Sequence, residues 1–212
     1  PRHLIKKYMG LFDFLFGGGN KKKRSRETVQ TRGEHMPDLK IPVDEKFTIQ
    51  FKKNGGKFIY CEAFEEVQEA FDNILQENSW KDTGFFCPNK SLRQRFATHG
   101  LNFEDKPAGA PVFFTTCEHL VAQNGSILVT SNQIGELKLH ELPGNIVVFA
   151  TTSQLIDSIG EGLKIIKKKY KGQIPTNITT LKHFQPTQEN AKDFLTYGSS
   201  SKHLYLLLLE DL

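Results

Sequence analysis

The run HLYLLLLEDL, residues 203–212, sets six apolar side chains in succession, Leu204 to Leu209, before two acids. An unbroken apolar run of this length is typical of a strand that is buried on both faces. Such strands belong to sheets that carry other layers on both sides, as parallel sheets do. The run therefore predicts a central strand of an α/β sheet.

Segments upstream of this run alternate between helical and strand patterns. In FEEVQEAFDNILQENSW, residues 64–80, apolar residues recur at steps of three and four, which predicts a helix. Two more helices are predicted at NKSLRQRFATHG (89–100) and TSQLIDSIGEGLKIIKKKY (152–170), the second capped by Ser153. Short apolar runs predict buried strands at TGFFCP (83–88), APVFFTT (110–116) and TTLKHF (179–184).

Two regions have patterns of antiparallel strands. In KFTIQFKKNGGKFIYCEA, residues 46–63, two strand-like runs flank Asn54-Gly55-Gly56, which predicts a hairpin. Further on, CEHLVAQNG (117–125) predicts a short helix or turn. An antiparallel meander is then predicted from SILVTS (126–131), GELKLHE (135–141) and NIVVFAT (145–151).

Together these elements predict one α/β domain over residues 43–212, preceded by a tail and linker over 1–42. The predicted fold is a three-layer, Rossmann-like, mostly parallel sheet with an antiparallel addition. The tail has an amphipathic start, three glycines and a basic cluster. It either docks through its apolar face or is disordered, and residues 17–40 are expected to be mobile.

The charge of the chain is uneven, with a net value of +4 concentrated in two lysine-rich clusters, at residues 21–26 and 164–171. Almost no aromatic residues are interleaved with the basic cluster of the tail, so a nucleic-acid partner is not expected. The second cluster ends a predicted helix, where the helix dipole favours positive charge. The longest apolar runs are well short of the ~20 residues that span a bilayer.

The three cysteines, Cys61, Cys87 and Cys117, are far apart in the sequence and form no C-x-x-C pair. A zinc or iron–sulfur site built from this chain alone is therefore not expected, and no metal ligands are assigned. Reduced, buried cysteines indicate a cytoplasmic protein.

The segment CEHLVAQNGSILVTS, residues 117–131, contains the candidate site. Gly125 lies among short polar residues and predicts either a turn with positive φ or a close approach of the backbone to an anionic ligand. Glu118 is a weak candidate for a catalytic base, or else an acid that stabilises a helix N-terminus. The candidate ligand-binding residues here are Gln123, Asn124, Gly125 and Ser126.

This same segment resembles the core of the lactate-utilisation (LUD) domain family, also called DUF162, in its C-subunit type. The family signature is roughly A-D-x-x-I-A-E-T-G-T, followed by a hairpin, a Leu-Pro turn and a strand. Here ELPGNIVVF, residues 141–149, matches the turn and strand. The signature aligns with Cys117, Glu118, Val121, Ala122, Gln123, Asn124, Gly125 and Ser126, of which Gly125 is identical, Val121 and Ala122 match the apolar pair, and the others are replacements.

The chain departs from the family pattern nearer its end. The family carries G-P-S-x-T-A-D-I-E and then G-x-H-G-P before its last strand. In this chain only Gly198, Ser199 and the final apolar strand echo those motifs. The resemblance thus makes this chain a divergent member, with Gly198 and Ser199 as further candidate ligand-binding residues.

The resemblance implies a fold similar to the NagB/RpiA/CoA-transferase group. It also implies a part in the oxidation of L-lactate to pyruvate, as in bacterial lactate-utilisation systems, for a subunit without a redox centre of its own. Iron–sulfur and flavin groups would then lie on partner chains, and this chain would hold no cofactor. Its own ligand would be a small carboxylate or another anion.

Two other functions remain open at this point. One is a small-molecule enzyme of the sugar-phosphate isomerase or CoA-transferase kind, and the other is a divergent ligand-binding protein without catalysis. A neighbouring gene rich in C-x-x-C-x-x-C motifs would favour the lactate-oxidising assembly.

Overall fold

Helices and strands alternate along the computed structural model, which describes residues 41–184 and 202–211. In chain order the elements are α1 (Val43–Lys53), β1 (Lys57–Cys61), α2 (Phe64–Glu77), β2 (Gly84–Phe86), α3 (Lys90–Arg95), β3 (Asn102–Glu104), β4 (Val112–Thr115), β5 (His119–Val121), β6 (Ser126–Val129), α4 (Ser131–Ile134), β7 (Asn145–Thr151), β8 (Leu155–Ile156), α5 (Ile159–Lys169), β9 (Thr179–Leu181) and β10 (His203–Leu209).

Six strands form the larger sheet, in the order β1-β10-β7-β4-β2-β3, and all of its pairs are parallel. Strand β10 lies between β1 and β7, with Leu206 opposite Phe58 on one side and Val148 on the other. Residues 204–209 are all buried. The last apolar run is therefore an interior strand of the sheet, as predicted.

The faces of the larger sheet pack against different layers. On one face, Val147, Phe149 and Leu207 pack against α2 and α3. On the other face, Ile146, Val148, Leu204, Leu206 and Leu208 pack against α1 and against a smaller sheet. Because apolar side chains leave β7 and β10 on both sides, both faces need a cover. The result is a mixed α/β fold of the three-layer, Rossmann-like type that the sequence predicts.

The smaller sheet has the order β8-β5-β6-β9. Strand β6 pairs antiparallel with β5 and β9, whereas β5 pairs parallel with β8. Its outer face is covered by α5, which packs Ile166 against Val121, Leu128 and Ile156. An antiparallel addition is thus present, although only β6 of its strands belongs to the predicted meander.

The predicted meander is wrong in two of its three strands. Residues 145–151 form β7 of the larger parallel sheet, and residues 135–141 form no strand. Helix α4 lies just before residues 135–141, and it forms because Thr130 and Gln133 make a capping box at its start. Gly135 then ends this turn at φ +59°, and a short 3-10 turn follows at Leu139–Glu141.

The predicted hairpin is also wrong, because its first arm is helix α1. Phe47, Ile49 and Phe51 alternate as in a strand, but Phe47 and Phe51 also have the i, i+4 spacing of a helix. Their rings stack at 5.3 Å within the core. Asn54 is the C-cap of this helix and Gly55 follows at φ +87°, so the Asn-Gly pair terminates a helix here.

Two smaller predictions are wrong as well. Residues 119–121, predicted as helix or turn, form β5. The predicted helix 152–170 begins only at Ile159, where the Ser158 side chain accepts a hydrogen bond from Glu161 N, so Ser153 is not its cap. Helices α2 and α3 and strands β2, β4, β6 and β9 lie where the sequence predicts them. Of the two possible caps of α3, Asn89 and Ser91, the structure has Asn89, whose side chain accepts a hydrogen bond from Leu92 N.

The predicted tail lies outside the described residues, apart from Ile41 and Pro42, which are exposed. The expected mobility of residues 17–40 therefore stays a prediction. Within the described ranges, no helix combines the length and the apolar character needed to cross a membrane.

Candidate functional site

Gly125 ends the short connection from β5 to β6 and lies against another part of the main chain there. Its φ is +64°, a conformation that glycine adopts without strain. A Cβ atom at this position would lie 2.4 Å from both Gln50 C and Phe51 N of α1. The close approach that the sequence indicates at Gly125 is thus an approach to the backbone of α1.

The polar groups around Gly125 bond to one another and to the end of α1. Asn54 Nδ2 donates to the carbonyl oxygens of Asn124 (2.8 Å) and Gly125 (3.1 Å). Asn124 Oδ1 accepts from the Ser126 amide (3.2 Å) and from Ser126 Oγ (2.7 Å). Gln123 is exposed, and its backbone N–H donates to the backbone carbonyl of Asp157 (2.9 Å). These bonds hold the loop in one conformation.

Ligand binding by residues 123–126 stays a prediction. The loop brings Gln123, Asn124, Gly125 and Ser126 together, as their adjacency requires, but Ser126 is fully buried. The other two candidates, Gly198 and Ser199, lie outside the described residues. The structure therefore describes four of the six candidate ligand-binding residues.

Glu118 is a buried carboxylate that gathers hydrogen-bond donors from two helices. Its side chain is 2% exposed. At the C-terminal end of α5 it accepts from Tyr170 Oη (2.9 Å) and Lys169 Nζ (3.1 Å). Three further donors come from the start of α4 at distances of 3.2–3.4 Å: Thr130 Oγ1, Asn132 Nδ2 and Gln133 Nε2.

These contacts decide the ionisation of Glu118. Burial raises the pKa of a carboxyl group, but here the hydrogen bonds from Gln133, Tyr170 and Lys169 outweigh it and leave the pKa lower than usual. Glu118 is thus a carboxylate at neutral pH with both oxygens engaged. Its possible role as a catalytic base stays a prediction, and the contacts seen tie α4 and α5 to the smaller sheet.

His119 lies beside Glu118 but faces α5. A Cβ atom on Gly162 of α5 would be 3.4 Å from His119 Cδ2, so the helix passes directly over the imidazole ring. His119 Nδ1 is buried and has no partner within the described residues. Burial lowers the pKa of His119, which favours a neutral ring in this position.

The carboxyl ends of β7 and β10 carry a polar cluster that the sequence reading missed. Asp211 accepts hydrogen bonds from Ser153 Oγ (2.7 Å), Ser153 N (2.8 Å) and Thr152 Oγ1 (3.0 Å). Burial raises the pKa of Asp211 slightly, but these donors hold it at about 2. Gln154 Nε2 continues the cluster by donating to the Cys117 carbonyl (2.6 Å).

A sequence signal for this cluster was present. Residues 151–153 directly follow one predicted strand and Asp211 follows another. If two such strands are parallel neighbours, their carboxyl ends meet at one edge of the sheet, where α/β proteins place their ligands. The pattern of NIVVFAT also fits an antiparallel meander, and under that prediction its carboxyl end does not meet that of the last strand.

Two cavities adjoin neither Glu118 nor residues 123–126. The smaller, about 70 Å³, is lined by Leu139, Thr180, Leu181, Lys182, His183, Phe184 and Lys202. The larger, about 440 Å³, is an open cleft lined by Gln68, Asp72, Leu75, Lys81, Asp82, Thr98, His99 and Gly100. In this cleft Asp72 Oδ1 lies 2.8 Å from His99 Nδ1, and the ring of His99 packs against Phe71.

The three cysteines are free and buried, as predicted. Cys61 and Cys87 pack on the face of the larger sheet that α2 covers, whereas Cys117 packs on the opposite face. Burial raises the pKa of Cys61 and of Cys87 to about 11 and also raises that of Cys117. Among the described residues, no three His, Cys, Asp or Glu side chains are placed to share a metal ion.

Comparison with known proteins gives a family and a fold. The family model of the LUD domain matches residues 45–208. The chain is also similar to the crystal structure of a DUF162 family protein from Deinococcus radiodurans, with a TM-score of 0.57 over 80% of this chain and 96% of that chain. The identity is 12%, so this similarity shows the fold alone. A search of curated proteins gave no match.

Proposed function

Because the chain belongs to the LUD domain family, we propose that it is a subunit of an assembly that oxidises L-lactate to pyruvate. The observation that carries the proposal is the family match over residues 45–208, which runs from α1 into β10. At the level of the family this match supports a role in lactate utilisation. The part assigned to this chain is a binding and assembly role without a redox centre of its own.

The positions of the cysteines support that division of labour. An iron–sulfur cluster needs several thiolates around one centre. Cys117 lies on the other face of the sheet from Cys61 and Cys87, and all three thiols are buried with raised pKa values. The proposal therefore places the flavin and the iron–sulfur groups, which take the two electrons from lactate, on partner chains in the cytoplasm.

The contacts of Glu118 favour this function over acyl or isomerase chemistry. A glutamate that attacks an acyl group or moves a proton must reach the substrate. Glu118 is 2% exposed and is held by five side-chain donors.

Reconstitution tests the proposal. The chain is purified alone and together with iron–sulfur and flavin chains encoded beside it, and lactate-dependent dye reduction is measured without oxygen. We expect no activity from the chain alone and full activity only from the complete assembly. Dye reduction by this chain alone would overturn the subunit role, and equal rates from the partners without it would remove the chain from the reaction.

A further inference from the structure

Lys202 lies immediately before β10 and is buried, with 7% of its surface exposed. The Lys202 amide donates to the His183 carbonyl (3.3 Å), which places the residue beside the segment that follows β9. Its Nζ atom donates to the Leu142 carbonyl oxygen (2.6 Å). The side chain thus crosses the amino ends of β10 and β7.

The ammonium group of Lys202 is short of partners. A lysine has three N–H donors, and within residues 41–184 and 202–211 Nζ has one acceptor and no ion pair with a carboxylate. A buried charge without a counter-ion is strongly unfavourable. In line with this, burial lowers the pKa of Lys202. A bound anion would supply both the missing acceptors and the missing charge.

The cavity beside Lys202 has the size and walls for such an anion. Its volume is about 70 Å³, which is room for about five water-sized groups at roughly 10–15 Å³ each. Leu139, Leu181 and Phe184 give it apolar walls, whereas Thr180 and His183 add polar groups. This combination suits a molecule with one charged end and a short apolar end.

We propose that Lys202 binds the carboxylate of a three-carbon 2-hydroxy or 2-oxo acid in this cavity. One ammonium matches one carboxylate, and the methyl group of the acid would contact the apolar walls. Thr180 and His183, which also line the cavity, are the candidate partners of the 2-oxygen. The site stands on the cavity and the lysine, whereas the choice of acid rests on the proposed function in lactate oxidation.

Binding to the purified 212-residue chain tests the site. L-lactate, pyruvate, acetate and inorganic phosphate are titrated by calorimetry against the wild type and two variants, Lys202→Met and Lys106→Met. Lys106 is exposed and lines neither cavity, so the same substitution there is the control. We expect Lys202→Met to weaken lactate or pyruvate binding at least about tenfold, equivalent to ~1.4 kcal/mol, and Lys106→Met to leave it within about twofold.

A second variant keeps the test independent of how Lys202→Met folds. Leu139 is half-buried on the cavity wall, and Leu139→Trp fills the space while Lys202 stays in place. We expect this variant to lose the binding of all the acids. Undiminished binding by Lys202→Met, or any measurable binding by Leu139→Trp, would overturn the site, as would the absence of saturable binding to the wild type.

The outcomes separate this inference from the proposed function. Equal binding of acetate, phosphate and lactate would overturn the assignment of a three-carbon acid. An assembly that needs this chain for lactate oxidation, although the chain binds no acid, would overturn the Lys202 site and leave the function standing. If the chain binds lactate but the assembly oxidises lactate equally well without it, the Lys202 site stands and the proposed function is overturned.

Discussion

At the scale of single residues, Gly125 decides how α1 approaches the smaller sheet. The space that a side chain would occupy is filled by the main chain at Gln50 and Phe51, which cannot rotate away as a side chain can. The positive φ of Gly125 and its contact with α1 are two independent reasons why this position needs glycine.

We expect Gly125→Ala to lower the free energy of unfolding by about 2–4 kcal/mol, from roughly 1 kcal/mol for the positive φ and about 1–3 kcal/mol for overpacking. Gly100 is the matched control, because its φ is +62° and a Cβ atom there would meet nothing within 4 Å. Gly100→Ala should lose about 1 kcal/mol. Urea unfolding measures both, and equal losses would show that the contact with α1 contributes nothing.

Glu118 should make stability depend on pH. Its pKa in the folded protein is below the ordinary value of a glutamate, so its contribution to stability is fully present above the unfolded-state pKa and is lost as the pH falls through the folded-state pKa. We expect Glu118→Gln to cost about 1–3 kcal/mol at pH 7. In urea unfolding, the difference between wild type and variant should shrink from pH 5 to pH 3, and a constant difference would contradict the lowered pKa.

At the scale of elements, α5 contains two glycines with opposite surroundings. A Cβ atom on Gly162 would lie 2.7 Å from Ile156 Cδ1 and 2.9 Å from Leu128 Cδ2, whereas one on Gly160 would meet only Ser158 Oγ, at 4.0 Å. Helix α5 therefore packs close to the smaller sheet at Gly162, where the lack of a side chain leaves room for Ile156 and Leu128. Gly160 faces open space and has no such constraint.

We expect Gly160→Ala to raise the free energy of unfolding by about 0.5–1 kcal/mol, because alanine favours a helix more than glycine does. Gly162→Ala gains the same propensity but should lose about 1–3 kcal/mol to overpacking. Thermal or urea unfolding of the pair measures the difference. If Gly162→Ala is as stable as Gly160→Ala, α5 moves freely on the sheet.

Patterns within single elements were predictable where one structure alone satisfied them. The stripe at Phe64, Val67, Phe71 and Ile74 fits only a helix, and the run from Leu204 to Leu209 fits only a doubly covered strand. The spacing of Phe47, Ile49 and Phe51 fits both a strand and a helix. The helix is selected by a distant contact, because the ring of Phe51 packs against that of Phe184 with 5.0 Å between centroids. Short segments of this kind depend on tertiary contacts.

The candidate site was predictable only in part for the same reason. Glu118 and residues 123–126 are close in sequence, so their motif could be found directly. Lys169 and Tyr170 reach Glu118 from 51 and 52 positions away, and Lys202 meets Leu142 across 60 positions. Which polar residues meet across such distances follows from the order of strands in the sheets, which periodicity does not give.

At the scale of the whole molecule, the interior position of β10 should control the slowest opening motions. Its backbone pairs with β7 along residues 203–209 and with β1 along residues 205–209. In native-state hydrogen exchange we expect the amides of β10 to exchange only through global unfolding, and those of the three-residue edge strand β3 to exchange faster. Equal rates in β10 and β3 would contradict an interior β10.

The place of β10 also has a consequence for synthesis of the protein. Strand β1 ends at Cys61, but its neighbour begins only at His203, so the ribosome must translate the intervening chain before the two can pair. At about 5–20 residues per second this takes roughly 7–30 s. Strand β1 lacks this partner throughout the interval, and one edge of β7 lacks it once Thr151 has been translated. Both strand edges are then open to pairing with other chains.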